Sequence, residues 1–524
     1  MRRTLAAACA LAIALAVVTV PTYAASLRPA GKLCVGGKKC YETIQAAVDA
    51  ASDGDTIRIG RGTFAGGVTV GKSVDLVGDG AGKTIIQGGG PVLTLGTEGA
   101  PAQPTISIRG LTITGGLNRT KPDPAFVNGG GVYIPAAVGP DGPFPGAIVT
   151  ITSSVIEDNR VEPSATVNLC PEPQQCPWAS ASGAGIESQG SLTLVDTTVR
   201  NNHSVTDTGL AEGGGIRVLF GSLTLGHSVV SGNESVATPP FGYWPQAGGI
   251  IVDGGTGAIA ISDSEISNNA TSLTSTGNSG AYASGTALDF DESHVGPVTI
   301  TNTRITDNSI TATSPIHHDL GVGDLVYINA GSPLTMRDSI VAGNRITATG
   351  ASVGFGGAIF EVHSPTTITN TRIVGNETSI TSLAGDANGY ATFVAWSSDP
   401  VVLRDSVISG NSVQVSTTGG SATLQGAGIW NAGTLQLLDT KVQNNVGRAS
   451  GPSGTAQGGG IWNGLYPDGP LPVSLTLTDS KVAGNSVSGS AGLTVQGGGL
   501  FTAFPVTLQH SKIEKNKPDQ CFGC

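Results

Sequence analysis

Eleven times between Ser154 and Asn516 the chain repeats one phrase: Ser or Thr, any residue, an aliphatic residue, two more residues, then Asn. It first reads SVIEDN, later TRITDN and SIVAGN, and finally SKVAGN and SKIEKN. The asparagines are Asn159, Asn202, Asn233, Asn269, Asn308, Asn344, Asn376, Asn411, Asn445, Asn485 and Asn516, spaced 31 to 43 residues apart. Self-similarity at a period of roughly 20–50 residues belongs to solenoids, propellers and arrays. The phrase therefore limits the architecture before any other feature does.

Each repeat has three recognisable parts. A Gly-rich strand entry comes first, as in GAGIES (183–188), GGGIRV (213–218), GGAIFE (356–361), GAGIWN (426–431), GGGIWN (458–463) and GGGLFT (497–502). An alternating stretch such as SLTLVD (191–196) or SLTLTD (474–479) follows, and then the Asn phrase. Three short strands joined by turns make one rung of a parallel β-helix, with the remainder of each repeat read as a loop. Rungs about 4.8 Å apart give one rod roughly 60–70 Å long, spanning 55–516. Asn stacks on Asn in this register. The residue before each Ser or Thr forms a second column, Asp196, His227, Asp263, Asn302, Asp338 and onward to His510, which reads as turn chemistry rather than a cation track.

Ahead of the rod, YETIQAAVDAASDG (41–54) carries Ile44, Ala47, Val48 and Ala51 at helical spacing. This predicts one amphipathic helix within an N-terminal cap (25–54), laid over the open end of the stack. Residues 1–24, with Arg2, Arg3, an apolar run and Thr22-Tyr23-Ala24, read as a secretory signal. No later run is long enough for a membrane span. Removal of the signal leaves six cysteines in three close pairs: Cys34 with Cys40, Cys170 with Cys176, and Cys521 with Cys524. They are expected as local disulfides of an exported protein, the last in a tail (517–524). The formal charge of −11 speaks against nucleic acid as a partner. A secreted monomer is expected.

The segment TIQAAVDAASDGDTIRIGRGTFAGGVTVGKSVDLVGDGAGKTIIQG and the unit GGGI…SLTLTDSKVAGNSV resemble secreted right-handed parallel β-helix proteins of the pectin-lyase-like superfamily. The repeats are similar to those of bacterial polymorphic outer-membrane and other β-helix surface proteins. The resemblance implies an all-β, single right-handed parallel β-helix. It leaves activity open, because this fold carries lyases, hydrolases, esterases, epimerases and adhesins. The chain has no Asp-Asp and no Gly-His-Gly, and no lysine lies between Lys121 and Lys441.

Two places carry candidate chemistry. Four of seven histidines, His294, His317, His318 and His363, fall within 70 residues, with Asp289, Asp291, Glu292, Asp319, Asp324 and Glu361. In register they occupy three consecutive rungs where the glycine pattern breaks, so Asp289, Asp291, His294, His318, Asp319, Glu361 and His363 form the candidate catalytic set. Such groups suit acid/base cleavage of a glycosidic bond, or Ca²⁺ as a cofactor. The second place is a column of rings after the aliphatic residue of the glycine entry, Phe360, Trp430, Trp462 and Phe501. These, with Arg217, are expected to face outward and bind sugar. Regular repeats without a complete catalytic signature favour a protein presenting an extended face to a polysaccharide or cell-surface polymer. The alternative is a polysaccharide lyase or glycoside hydrolase acting at 289–363.

Overall fold

The computed structural model describes residues 32–119, 125–139, 142–163, 179–207, 209–238, 245–275, 281–290, 294–314, 320–465 and 471–524. Two expectations fall outside these ranges: the secretory signal over 1–24, and the disulfide between Cys170 and Cys176. The chain winds into a parallel β-solenoid whose sheets run its length, with 15 strands in the longest and 14 in each of two others.

The alternating segments build the longest sheet. In Ser474–Thr478 the pattern sends Leu475 and Leu477 into the core and leaves the Ser and Thr side chains towards solvent. The Asn phrase builds the second sheet, and two left-handed residues bracket each of its short strands. The residue before Ser or Thr has φ between 46° (Asn302) and 54° (Asp338), and the residue before Asn lies between 54° (Asp158) and 68° (Gly484). Gly, Asn and Asp tolerate this conformation best, which explains the recurrence of Asp and Asn at the first corner and of Gly, Asn and Asp at the second.

Inside the corner the asparagines form a buried ladder. Asn344 Nδ2 donates to Asn376 Oδ1 (3.0 Å) and to the Ile305 carbonyl (3.0 Å), while its own Oδ1 accepts from the N–H and Nδ2 of Asn308. The pattern holds from Asn159 to Asn485, and Gln520 closes the last rung by accepting from Asn516. A third ladder has no counterpart in the sequence reading. Most phrase hydroxyls accept from the backbone N–H of the preceding rung's Ser or Thr and donate to a carbonyl two residues back, as Ser228 Oγ accepts from Thr197 and donates to Gly226 O. Steric demand and hydrogen bonding thus fix the phrase together.

The expectation of three strands and a loop is corrected here. After the Asn the chain alternates again, as in Ser309–Ser314, where Ile310 and Ala312 point inward. These segments form an 11-stranded sheet, and the residues just before the glycines form sheets of four and seven strands. A full rung therefore has up to five short strands. Among the segments read as loops, Glu234–Ala237, Val446–Ser450 and Ser453–Gln457 are strands.

The helix spans Ile44–Ala50, with Thr43 as its N-cap and Ile44, Ala47 and Val48 buried. Lys72 Nζ donates to the carbonyls of Val48, Asp49 and Ala51 at its C-terminal end, satisfying groups that have no partner within the helix. A disulfide joins Cys34 and Cys40, and another joins Cys521 and Cys524. The last residues extend the stack, since Cys521–Phe522 pairs with Leu500–Thr502. No helix among the described residues is long and apolar enough to cross a membrane.

Candidate active-site cleft

The glycine-entry strands form one of the 14-stranded sheets, and their middle residues stack into a column. It runs Glu187, Arg217, Ile251, Asp289, Tyr327, Glu361, Val394, Trp430, Trp462, Phe501 and Phe522. The flanking residues of each strand, such as Leu288 and Phe290, fill the core, so the column faces the opposite side. There it meets side chains of the strands that precede the glycines.

Between these two surfaces lies a cleft of about 600 Å³ with three buried carboxyl groups, Asp289, Asp324 and Glu361. Tyr282, Tyr327, Phe355, His363 and Trp396, all partly exposed, line it as well, and Gln246 and Ser284 complete it. Glycine is required where the backbone passes these groups. Gly285 has φ +68°, and a Cβ there would lie 2.0 Å from Asp289 Oδ2; one on Gly323 would lie 2.3 Å from Tyr282 Oη.

Asp324 replaces the second glycine of the entry. Its Oδ1 accepts the Ala358 N–H at 2.5 Å, and its carboxyl is hydrogen-bonded to that of Glu361. Burial, then the charge of Glu361, pushes Asp324 well above the usual carboxylate range. Burial pushes Glu361 up to about 7, partly opposed by the hydrogen bond from Asp324. Asp324 therefore favours its protonated form more strongly than Glu361 does, and the two titrate as a coupled pair. His363 Nε2 contacts Glu361 Oε1, and its ring lies 5.2 Å from Tyr327 and 4.7 Å from Trp396, centroid to centroid. The Tyr282 hydroxyl is held far above its ordinary value, by burial first and then by Asp324, Glu361 and Asp289.

Of the candidate catalytic residues, the fold brings Asp289, Glu361 and His363 together. Asp291, His318 and Asp319 fall outside the described residues. His294 does not join them: it is fully buried, with Nδ1 2.7 Å from Ser332 Oγ and Nε2 3.0 Å from the Gly257 carbonyl. Burial lowers its pKa, as suits a neutral imidazole bridging two rungs. Among the described residues, no group of three or more His, Cys, Asp or Glu is placed to hold a metal ion.

The ring column needs a larger correction. Phe360 is fully buried in the core and pairs with Phe393, in line with Ile429. The entry there is Gly357-Ala358-Ile359-Phe360, one residue later than the glycines suggest, and a slip of one reverses the face. Glu361 takes the outward position. Trp430 and Trp462 do face outward, yet they are only 3% and 5% exposed. They stack on each other at 5.3 Å and 5°, and their Nε1 atoms donate to Gln425 and Gln457 of the adjoining strands. Phe501 and Phe522 continue the stack. A narrow crevice lined in part by Tyr390 and Val394 joins the cleft residues to Trp430. Arg217 is likewise enclosed. Its Nε donates to Asp253 Oδ2 (2.6 Å), and Nη1 lies 3.3 Å from Glu212 and 3.7 Å from Glu187.

Tyr282, Tyr327 and Phe355 escape the sequence reading. Tyr327 is within reach of it, because counting strand positions places it between Asp289 and Glu361. Tyr282 and Phe355 sit on strands whose sequence reads as loop.

No protein-family model matches the chain, and no curated protein matches it. Among solved structures, it is similar to the A-module of the Azotobacter vinelandii mannuronan C-5 epimerase AlgE6, with 14% identity and a TM-score of 0.30 over 88% of this chain and 94% of that one. The AlgE4 A-module of the same organism aligns with 14% identity and a TM-score of 0.28, over 90% and 91% of the two chains. The Yersinia enterocolitica family 28 exopolygalacturonase aligns with 11% identity and a TM-score of 0.24, over 91% and 75%.

Proposed function

We propose that this chain is an exported glycoside hydrolase acting on a polysaccharide, with its chemistry at Glu361 and Asp289. One observation carries the reading: a carboxyl pair sharing a hydrogen bond is buried in an open, aromatic-lined cleft, with a third carboxyl two rungs away. Burying carboxyl groups opposes folding unless their charge is neutralised or compensated. A pair tuned to exchange a proton near neutrality is an expensive arrangement for a purely structural rung, and perturbed carboxyls in clefts mark acid/base sites.

Glu361 acts as the acid. It protonates the leaving oxygen as the bond from that oxygen to the anomeric carbon breaks. Asp289 accepts a proton from the water that attacks this carbon from the other side. Asp324, protonated and hydrogen-bonded to Glu361, stabilises the carboxylate left behind, and solvent then returns the proton. Two rungs set Asp289 and Glu361 about 10 Å apart along the backbone. Carboxyl side chains separated by roughly 6.5–9.5 Å leave room for a water and invert the anomeric centre. Tyr282, Phe355 and Trp396 offer flat apolar surface to sugar rings.

Polymer binding through Trp430 and Trp462, the reading favoured by the repeats alone, is poorly served by rings with so little accessible surface. Release of reducing ends from a polysaccharide panel tests the proposal. Activity lost in Glu361→Gln and Asp289→Asn, with the fold intact by circular dichroism, is the expected result. A wild-type protein that binds polysaccharide without releasing any product would overturn it.

A further inference from the structure

We infer that the cleft takes a saccharide bearing a free ammonium group, an amino sugar in a cationic chain. This rests on the assignment of the cleft to a saccharide and adds its charge class. Among the described residues, the lining contributes Asp289, Asp324 and Glu361 but no lysine or arginine. The one residue among them able to become cationic, His363, is already in contact with Glu361 and against Trp396. The cation nearest along the column, Arg217, is surrounded by Glu187, Glu212 and Asp253.

A uronic acid would bring another carboxylate against that of Asp289 with no lysine or arginine in the described lining to receive it, and like charges in a partly desolvated site repel strongly. An uncharged sugar would donate hydroxyl hydrogen bonds to a carboxylate but bring no charge to complement it. An ammonium meets both parts of the lining, since the Asp289 carboxylate attracts it and the ring faces of Tyr282, Tyr327 and Trp396 favour cations. A carboxylate set among aromatic faces suits an amine better than a carbohydrate acid.

The probes are hexasaccharides of glucosamine, N-acetylglucosamine and galacturonic acid, titrated calorimetrically against the full exported chain at a pH that keeps the amines protonated. The glucosamine hexamer is expected to bind at least about tenfold more tightly than the other two, and to weaken as salt is raised. Asp289→Asn should remove most of that preference, and Trp396→Phe should preserve more of it than Trp396→Ala. The wild-type comparison needs no variant to fold. Equal or tighter binding of the acetylated hexamer would overturn the charge inference and leave the saccharide assignment standing. Preference for galacturonate would do the same. Absence of binding by all three would count against both.

Discussion

Replacing Glu361 by Gln should stabilise the rung that it disables. A carboxyl moved from its ordinary 4.5 to about 7 is about 3 kcal/mol harder to ionise in the folded chain than in the unfolded one. Below pH 4.5 both states hold the proton, so the folded form carries no penalty. As pH rises towards 7 the unfolded chain ionises first and the folded state loses relative stability. Above about 7 the whole difference is felt. A glutamine at this position has no proton to lose, and its amide still offers a hydrogen bond to Asp324. The variant should therefore gain about 2–3 kcal/mol of local stability at about pH 8 and close to nothing at about pH 4.5. Hydrogen exchange of the Phe360–Val362 amides, corrected for the intrinsic pH dependence of exchange, reads this opening energy for the segment itself. An effect of the same size at both pH values would refute the account of a buried, proton-exchanging Glu361. So would destabilisation at the higher pH.

The rate of glycoside cleavage should fall as pH rises through about 7, because Glu361 must be protonated to act as the acid; the pH dependence of kcat/KM on a soluble oligosaccharide measures it. Asn344→Ala removes two donors and two acceptor contacts from a fully buried ladder, and should cost about 3–5 kcal/mol in urea unfolding. Arg217→Met leaves Glu187, Glu212 and Asp253 together without their cation. It should destabilise by about 3–5 kcal/mol near neutral pH and less in acid, where those carboxyls are protonated; denaturation at two pH values distinguishes this from simple loss of packing. Trp462→Ala should lower stability by about 3 kcal/mol through its lost stacking and cavity, while saccharide affinity stays unchanged by calorimetry.

The rungs are legible in the sequence because the phrase carries several constraints at once. Asn411 must fill the ladder, Gly410 and Asp405 must take left-handed corners, and Ile408 must reach the core. Regions with only one constraint are harder to read. Around 356 the glycines alone set the register, and Gly356-Gly357-Ala358 aligns equally well with the other entries in either of two ways. Only the pairing of Phe360 with Phe393 separates them. The tryptophans' outward direction follows from alternation, but their burial does not. It depends on Gln425 and Gln457, which lie on strands whose weak, Ser- and Thr-rich alternation resembles a loop. His294 looks catalytic by its proximity to Asp289, although its bonds to Ser332 and Gly257 come from rungs on either side.

A solenoid separates holding from doing more cleanly than a compact domain. The asparagine corner is nearly invariant from rung to rung, so it supports every rung and distinguishes none. The outward position of the glycine-entry sheet is free to change. It passes from an enclosed ion cluster at Glu187 and Arg217, through the carboxyl cleft at Asp289 to Glu361, to a stack of rings ending at Phe522. Rigid neighbours on both sides let the middle rungs hold carboxyl groups that an isolated strand pair would not retain. Where glycine gives way to Asp324, the close approach that glycine permits elsewhere instead sets one buried carboxyl against another, that of Glu361.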